Sequence, residues 1–114
     1  MLKFKKMSRI IKFRAFVNNK MEFFDLLQSD NSHVDYVDID KVMQFSGFLD
    51  DKKNEIYEGD VLFCPNRIKN EYQEVKFMNG YFKCEYRTLY EFLQWNISTV
   101  AGNIYENKEL LNKN

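Results

Sequence analysis

One proline, four glycines and two cysteines among 114 residues exclude several kinds of protein before any motif is read. So little proline and glycine leaves no proline-rich linker and no low-complexity tract. The two thiols, Cys64 and Cys84, are too few for a disulfide scaffold, and in a reducing compartment they are expected as small buried hydrophobes. No apolar run approaches the roughly 18 residues of a membrane span, and the N-terminus lacks the apolar core of a signal peptide. A soluble, cytoplasmic chain with no membrane partner is the expectation. His33, the single histidine, falls in a predicted loop, and a lone loop histidine assembles neither a Ser-His-Asp nor a Cys-His pair. Two cysteines and one histidine without close spacing make no zinc site, and Gly59-Asp60 lacks the Gly-rich run and Lys-Ser/Thr pair of a phosphate loop. We therefore expect a non-enzymatic protein with no catalytic residues, metal or cofactor.

Aromatic side chains are abundant instead, with eleven Phe, seven Tyr and one Trp. So many in so short a chain are expected to leave aromatic surface outside the core, where it marks contact sites. Charge sums to zero but is unevenly spread. Residues 1–20 carry seven bases and no acid, while residues 21–60 carry eleven acids against Lys41, Lys52 and Lys53. A basic arm followed by an acidic belt can pair within one subunit or between neighbours. Asp35, Asp38 and Asp40 form the one carboxylate cluster suited to a divalent cation. It lacks the glycine and terminal glutamate of a calcium loop, so a solvated acidic edge is the preferred reading, and cation binding stays open.

Val42 to Leu62 organises the chain. Met43 and Phe45 alternate with Val42, Gln44 and Ser46, the period of a strand with one buried face. Asp50 to Asn54 reads as a polar, flexible loop, and Gly59-Asp60 as a turn in which Gly59 takes φ > 0 and the Asp60 carboxylate bonds N–H groups ahead of it. Before this stretch, Met1 to Ser8 reads as a mobile tail and Arg9 to Val17 alternates as a strand. Asn18-Asn19 is a plausible hairpin turn, and residues 21–28 return as strand or short helix. After it, Val61 to Cys64 ends at Pro65, and Asn79-Gly80 between two alternating runs is a type I′ hairpin. Residues 88–95 are ambiguous between helix and strand. Thr88 as N-cap with Glu91 three residues on favours a helix of one to two turns. Ile97 to Ala101 reads as a strand that Gly102 to Glu106 turns into a final short one, and Glu109 to Leu111 as a last helical turn. Gly47, Gly59, Asp60, Asn79, Gly80 and Gly102 are the expected turn residues. Ile-Tyr-Glu occurs at Ile56 to Glu58 and again at Ile104 to Glu106, a hint of two equivalent corners.

The island Met43 to Val61, together with Gly102-Asn103-Ile104-Tyr105-Glu106-Asn107 and Ile11-Lys12-Phe13-Arg14-Ala15-Phe16, resembles the YopX family of phage and prophage proteins. Lys52-Lys53, Phe16 and Lys108 stand where that family usually has Asn-Gly, Trp and Pro. The resemblance implies a phage-encoded protein acting in a bacterial host, without established activity. It also implies a mainly β fold: a small SH3-like β-barrel over residues 41–114, with one or two short helices. Residues 1–40 would then form the N-terminal β extension, made of the basic arm, a strand or hairpin and the acidic connection.

The reading that follows is a protein-interaction module that forms a homo-oligomer through its N-terminal strand and acidic belt and receives a host or phage protein on aromatic patches. Lys12, Arg14, Phe16, Tyr57 and Trp95 are its candidate contact residues. Open sheet edges in small barrels invite strand addition from another chain. The alternative is a nucleic-acid-binding barrel that uses the basic arm and exposed aromatics. Zero net charge and the adjoining acidic belt weigh against it.

Overall fold

Two asparagines between alternating runs set the first hairpin. In the computed structural model, which describes residues 10–25, 41–65 and 70–113, β1 (Lys12–Val17) pairs antiparallel with β2 (Lys20–Asp25). Asn18 and Asn19 both take positive φ, 52° and 65°, as a two-residue type I′ turn demands. Of residues 21–28, ambiguous between helix and strand by periodicity, 21–25 are thus strand and 26–28 lie outside the described residues. The N-terminal tail to Ser8, His33 and the Asp35, Asp38 and Asp40 cluster lie outside the described residues.

The central stretch supplies β3 (Val42–Leu49), β4 (Glu55–Tyr57) and β5 (Asp60–Cys64). β1 also pairs with β3, giving a four-stranded sheet of order β2-β1-β3-β4. Met43 and Phe45 point inward and are buried, as their alternation requires. The register of β3 on β4 shifts between Phe45 and Leu49, and Gly47, at φ 88°, sits in that irregularity. Gly47 therefore makes a bulge inside a strand, where a left-handed residue restores pairing, rather than a turn between strands. The following loop is not the flexible one expected. Asp50 is buried and its carboxylate accepts from the N–H of Lys52, Asn54 and Val100.

β6 (Glu71–Met78) and β7 (Tyr81–Cys84) form the Asn79-Gly80 hairpin, with φ 55° and 86°. β8 (Arg87–Thr88) leads into α1 (Leu89–Trp95), whose Thr88 and Glu91 complete the reciprocal capping box. β9 (Thr99–Asn103) pairs with β5, so the second sheet runs β8-β7-β6-β5-β9. No further strand follows among the described residues. Residues 104–106 turn and lead to a 3-10 helix, Lys108–Lys113, the observed form of the last helical turn. The chain is mainly β, a curled half-barrel sheet with a second sheet beside it and, among the described residues, two short helices.

The core lies between β3-β4 of the first sheet and the second sheet, under α1. Ile56, Leu62, Cys64, Val75, Cys84, Leu89 and Phe92 pack as one buried cluster, with Phe48, Phe82, Leu93 and Val100 against it. Fully burying each large apolar side chain contributes about 1.5–3 kcal/mol. Both cysteines are free thiols within this cluster, and burial pushes the Cys64 thiol up to about 11. A buried thiol so far from ionisation behaves as a small hydrophobe rather than a nucleophile.

Candidate functional site

β1 places Lys12, Arg14 and Phe16 on one face, because side chains two apart share a side of a strand. Each meets a different part of the central and C-terminal stretches. Lys12 Nζ pairs with Glu55 and lies 5.4 Å from the Phe45 ring centroid. The Arg14 guanidinium is buried 4.7 Å above the Tyr57 ring. Its Nη2 donates to Asp60 Oδ1 at 2.7 Å and to the Glu58 carbonyl at 3.3 Å. Phe16 stacks on Tyr105 at 5.5 Å.

Asp60 is the pivot of this cluster. Its Oδ2 accepts from the Tyr57 N–H, three positions earlier in the chain, at 2.7 Å. Burial pushes its carboxyl pKa up, and Arg14 together with that N–H opposes the rise. Burial, joined by Glu55, likewise pushes the Tyr57 hydroxyl above its ordinary range. Arg14 Nε is buried without a hydrogen-bond partner, so the fold bears part of the cost of this ion pair.

Four of the five candidate contact residues therefore gather in one place, but mainly as structure. Arg14 and Tyr57 are only 6% and 3% exposed, which leaves nothing for a partner to touch. The Gly59-Asp60 corner carried the signal for this role: the sequence predicts a carboxylate that accepts backbone N–H groups, as the Tyr57 N–H bond shows, and does not point to Arg14 as its second partner. Trp95 stands apart at the end of α1, 77% exposed.

The C-terminal corner closes the same cluster. Asn103 Oδ1 accepts from the N–H of Tyr105 and Glu106, and Asn107 Oδ1 accepts from the Asn103 N–H. Ile104 N–H donates to the Gly59 carbonyl at 2.9 Å, and Asp60 pairs with Asn103 across β5 and β9. The two Ile-Tyr-Glu corners thus meet. Gly102 lies within β9 without positive φ. A Cβ there would come 2.7 Å from Asn107 Cβ, so glycine is needed for close approach rather than for turning.

Accessible aromatic surface lies elsewhere, in a cleft between the sheets that single-residue reading did not locate. Phe48 and Gln44 of β3 face Phe77, Tyr81 and Phe82 of the β6-β7 hairpin and Tyr90 of α1, around a space of about 390 Å³. Phe77 and Phe82 meet edge to face at 4.9 Å, and Phe48 lies 6.1 Å from Tyr90. Gln44 and Phe82 also line an adjoining space of about 580 Å³ reaching Ile10, Leu49 and Glu55. Phe77, Tyr81 and Tyr90 stay substantially exposed. Among the described residues no His, Cys, Asp or Glu group is placed to hold a metal ion.

This geometry defines a small two-sheet β protein with a buried ionic keystone and an open aromatic cleft. A family model described as YopX protein matches residues 5–112, and the chain belongs to the YopX family, one of uncharacterised function. The crystal structure of protein EF1440 from Enterococcus faecalis is similar in fold. It has a TM-score of 0.58 at 23% identity, and the match covers 91% of this chain and 99% of that one. No curated protein matches the sequence. No helix among the described residues is long and apolar enough to cross a membrane.

Proposed function

We propose that this protein is a phage-encoded, non-enzymatic interaction module that associates with copies of itself and receives a protein segment in the aromatic cleft between its sheets. The observation that carries the reading is the gathering of Phe48, Phe77, Tyr81, Phe82 and Tyr90 about one open space. Monomeric proteins seldom leave aromatics together in this way unless something covers them. An extended segment with apolar or aromatic side chains fits such a cleft, with Gln44 and Thr88 offering polar contacts at its walls. Lys12 and Arg14 are held by Glu55 and Asp60 of their own chain. Two of the basic arm's seven cations are thus engaged within the chain, which supports the protein-segment reading over a nucleic-acid one.

The test is a pull-down from bacterial host lysate with the tagged chain and with Tyr81→Glu/Tyr90→Glu, each with and without nuclease. A protein retained by the native chain through nuclease and lost with the variant supports the reading. Equal retention by both rejects the cleft. Recovery of nucleic acid alone replaces the reading with nucleic-acid binding. Sedimentation of the purified chain tests self-association separately.

A further inference from the structure

Among the described residues each sheet ends in two outer strands, and three of the four are guarded. β9 gives its Val100 N–H to the Asp50 carboxylate and its Asn103 N–H to Asn107. β4 gives the Tyr57 N–H to Asp60, and β8 is two residues long. Side-chain caps and short length are ways in which proteins blunt sheet edges. β2, six residues long, is the exception, with no strand on its outer side among the described residues.

The register fixes which of its groups point outward. A two-residue hairpin makes Val17 and Lys20 exchange both ladder hydrogen bonds, and alternate pairs do so thereafter. Glu22 opposite Ala15 and Phe24 opposite Phe13 therefore bond to β1. Met21, Phe23 and Asp25 turn their N–H and C=O away from the sheet. Phe23, with 55% of its surface exposed, touches only the edge of the Tyr57 ring among described aromatics, at 5.6 Å.

We infer that the outer edge of β2 pairs antiparallel with β2 of a second copy, with Phe23 opposite its own counterpart. The inference rests on the self-association reading above and names its surface. In an antiparallel ladder, outward residues must face outward residues, so only alternate registers are open. Two of these pair five residues of each six-residue strand. One sets Glu22 against Glu22 of the other copy, at the close, non-hydrogen-bonded position, where like charges repel. The other sets Phe23 against Phe23, Glu22 against Phe24 and no like charges together. Only the second is free of a like-charge pair, and it completes an aromatic cross-strand pair. It is also isologous, so the contact closes as a dimer instead of propagating. The zero net charge of the chain adds no overall repulsion between copies.

The experiment is residue-resolved amide hydrogen exchange on the full chain across a dilution series, alongside sedimentation mass. The expected result is a dimer on concentration, with the Met21 and Phe23 amides slowing in step with the dimer fraction. The Glu22 and Phe24 amides, bonded to β1 in both states, should not change. Phe23→Lys, at a half-exposed position, should lose the dimer and keep the slow core amides. A dimer in which Met21 and Phe23 exchange as in the monomer overturns the β2 edge and leaves self-association standing. A monomer at every concentration overturns both.

Discussion

Arg14 Nη2 and Asp60 Oδ1 lie 2.7 Å apart across 46 positions of sequence, each side chain almost wholly excluded from water. This contact ties the first strand to the start of β5, and beside it Met43 and Ile104 close on Gly59, whose carbonyl accepts the Ile104 N–H. The three sequence islands that carry the family likeness therefore converge on one structural keystone.

Arg14→Met should destabilise the fold by about 3–5 kcal/mol, because it leaves Asp60 buried without its cation. Arg14→Met/Asp60→Asn should recover part of the loss, since an amide oxygen can still accept the Tyr57 N–H and no charge is stranded. Urea midpoints of the four members of the cycle give the comparison. A double variant as unstable as the sum of the singles would mean that the two side chains act independently.

Asp50 should make the protein acid-labile. Burial alone would raise its pKa, but bonds from Val100, Asn54 and Lys52 outweigh burial and hold it below the ordinary carboxylate value near 3.8. A depressed folded pKa means stability that is present above the unfolded value and lost as pH falls through the folded one. Asp50→Asn should cost about 1–3 kcal/mol at neutral pH, with the gap to the native chain narrowing below pH ~4. Asp60 contributes with opposite sign, since burial holds its pKa up and its share is lost as pH rises through that value. Unfolding free energy measured against pH for both chains tests this, and a constant gap would sink it.

Local chemistry was legible in the sequence where a rule acts over a few residues. Asn18-Asn19, Asn79-Gly80 and the Thr88 capping box each took the form their residue types dictate. Alternation likewise placed Met43 and Phe45 inward. What could not be read was which distant partner a polar residue finds. Arg14 and Tyr57 looked like contact residues because charge and aromaticity mark surfaces on average, yet a carboxylate 46 positions from Arg14 makes burying them tolerable. Asp50 looked like part of a flexible loop because its partner, the Val100 N–H, lies 50 positions away. The aromatic cleft escaped for the same reason, being assembled from β3, a hairpin and a helix.

Gly102 should be intolerant of alanine because of Asn107. The added Cβ would stand 2.7 Å from Asn107 Cβ and displace the side chain that accepts the Asn103 N–H. Gly102→Ala should cost about 1–2 kcal/mol, chiefly that hydrogen bond and its desolvated donor. Asn107→Gly loses the same bond, so Gly102→Ala/Asn107→Gly should be no less stable than Asn107→Gly alone. Thermal melts of the four chains decide it, and full additivity would place the cost of alanine elsewhere.

Trp95, the single tryptophan, should report on the surface without contributing to the fold. It ends α1, while Leu89 and Phe92 of that helix hold the core side. Trp95→Ala should change stability by less than about 0.5 kcal/mol, as exposed substitutions away from caps and packing do. Its indole should show the red-shifted emission and ready quenching of a water-exposed ring. Tyr90 is on the same short helix and lines the cleft, so a partner segment that also reaches the helix end would shift this emission to the blue. One confined to the cleft would leave it unchanged. Titrating the chain with its captured partner separates the two footprints. Loss of binding in Tyr81→Glu/Tyr90→Glu with an unmoved Trp95 signal in the native complex would limit the contact to the cleft.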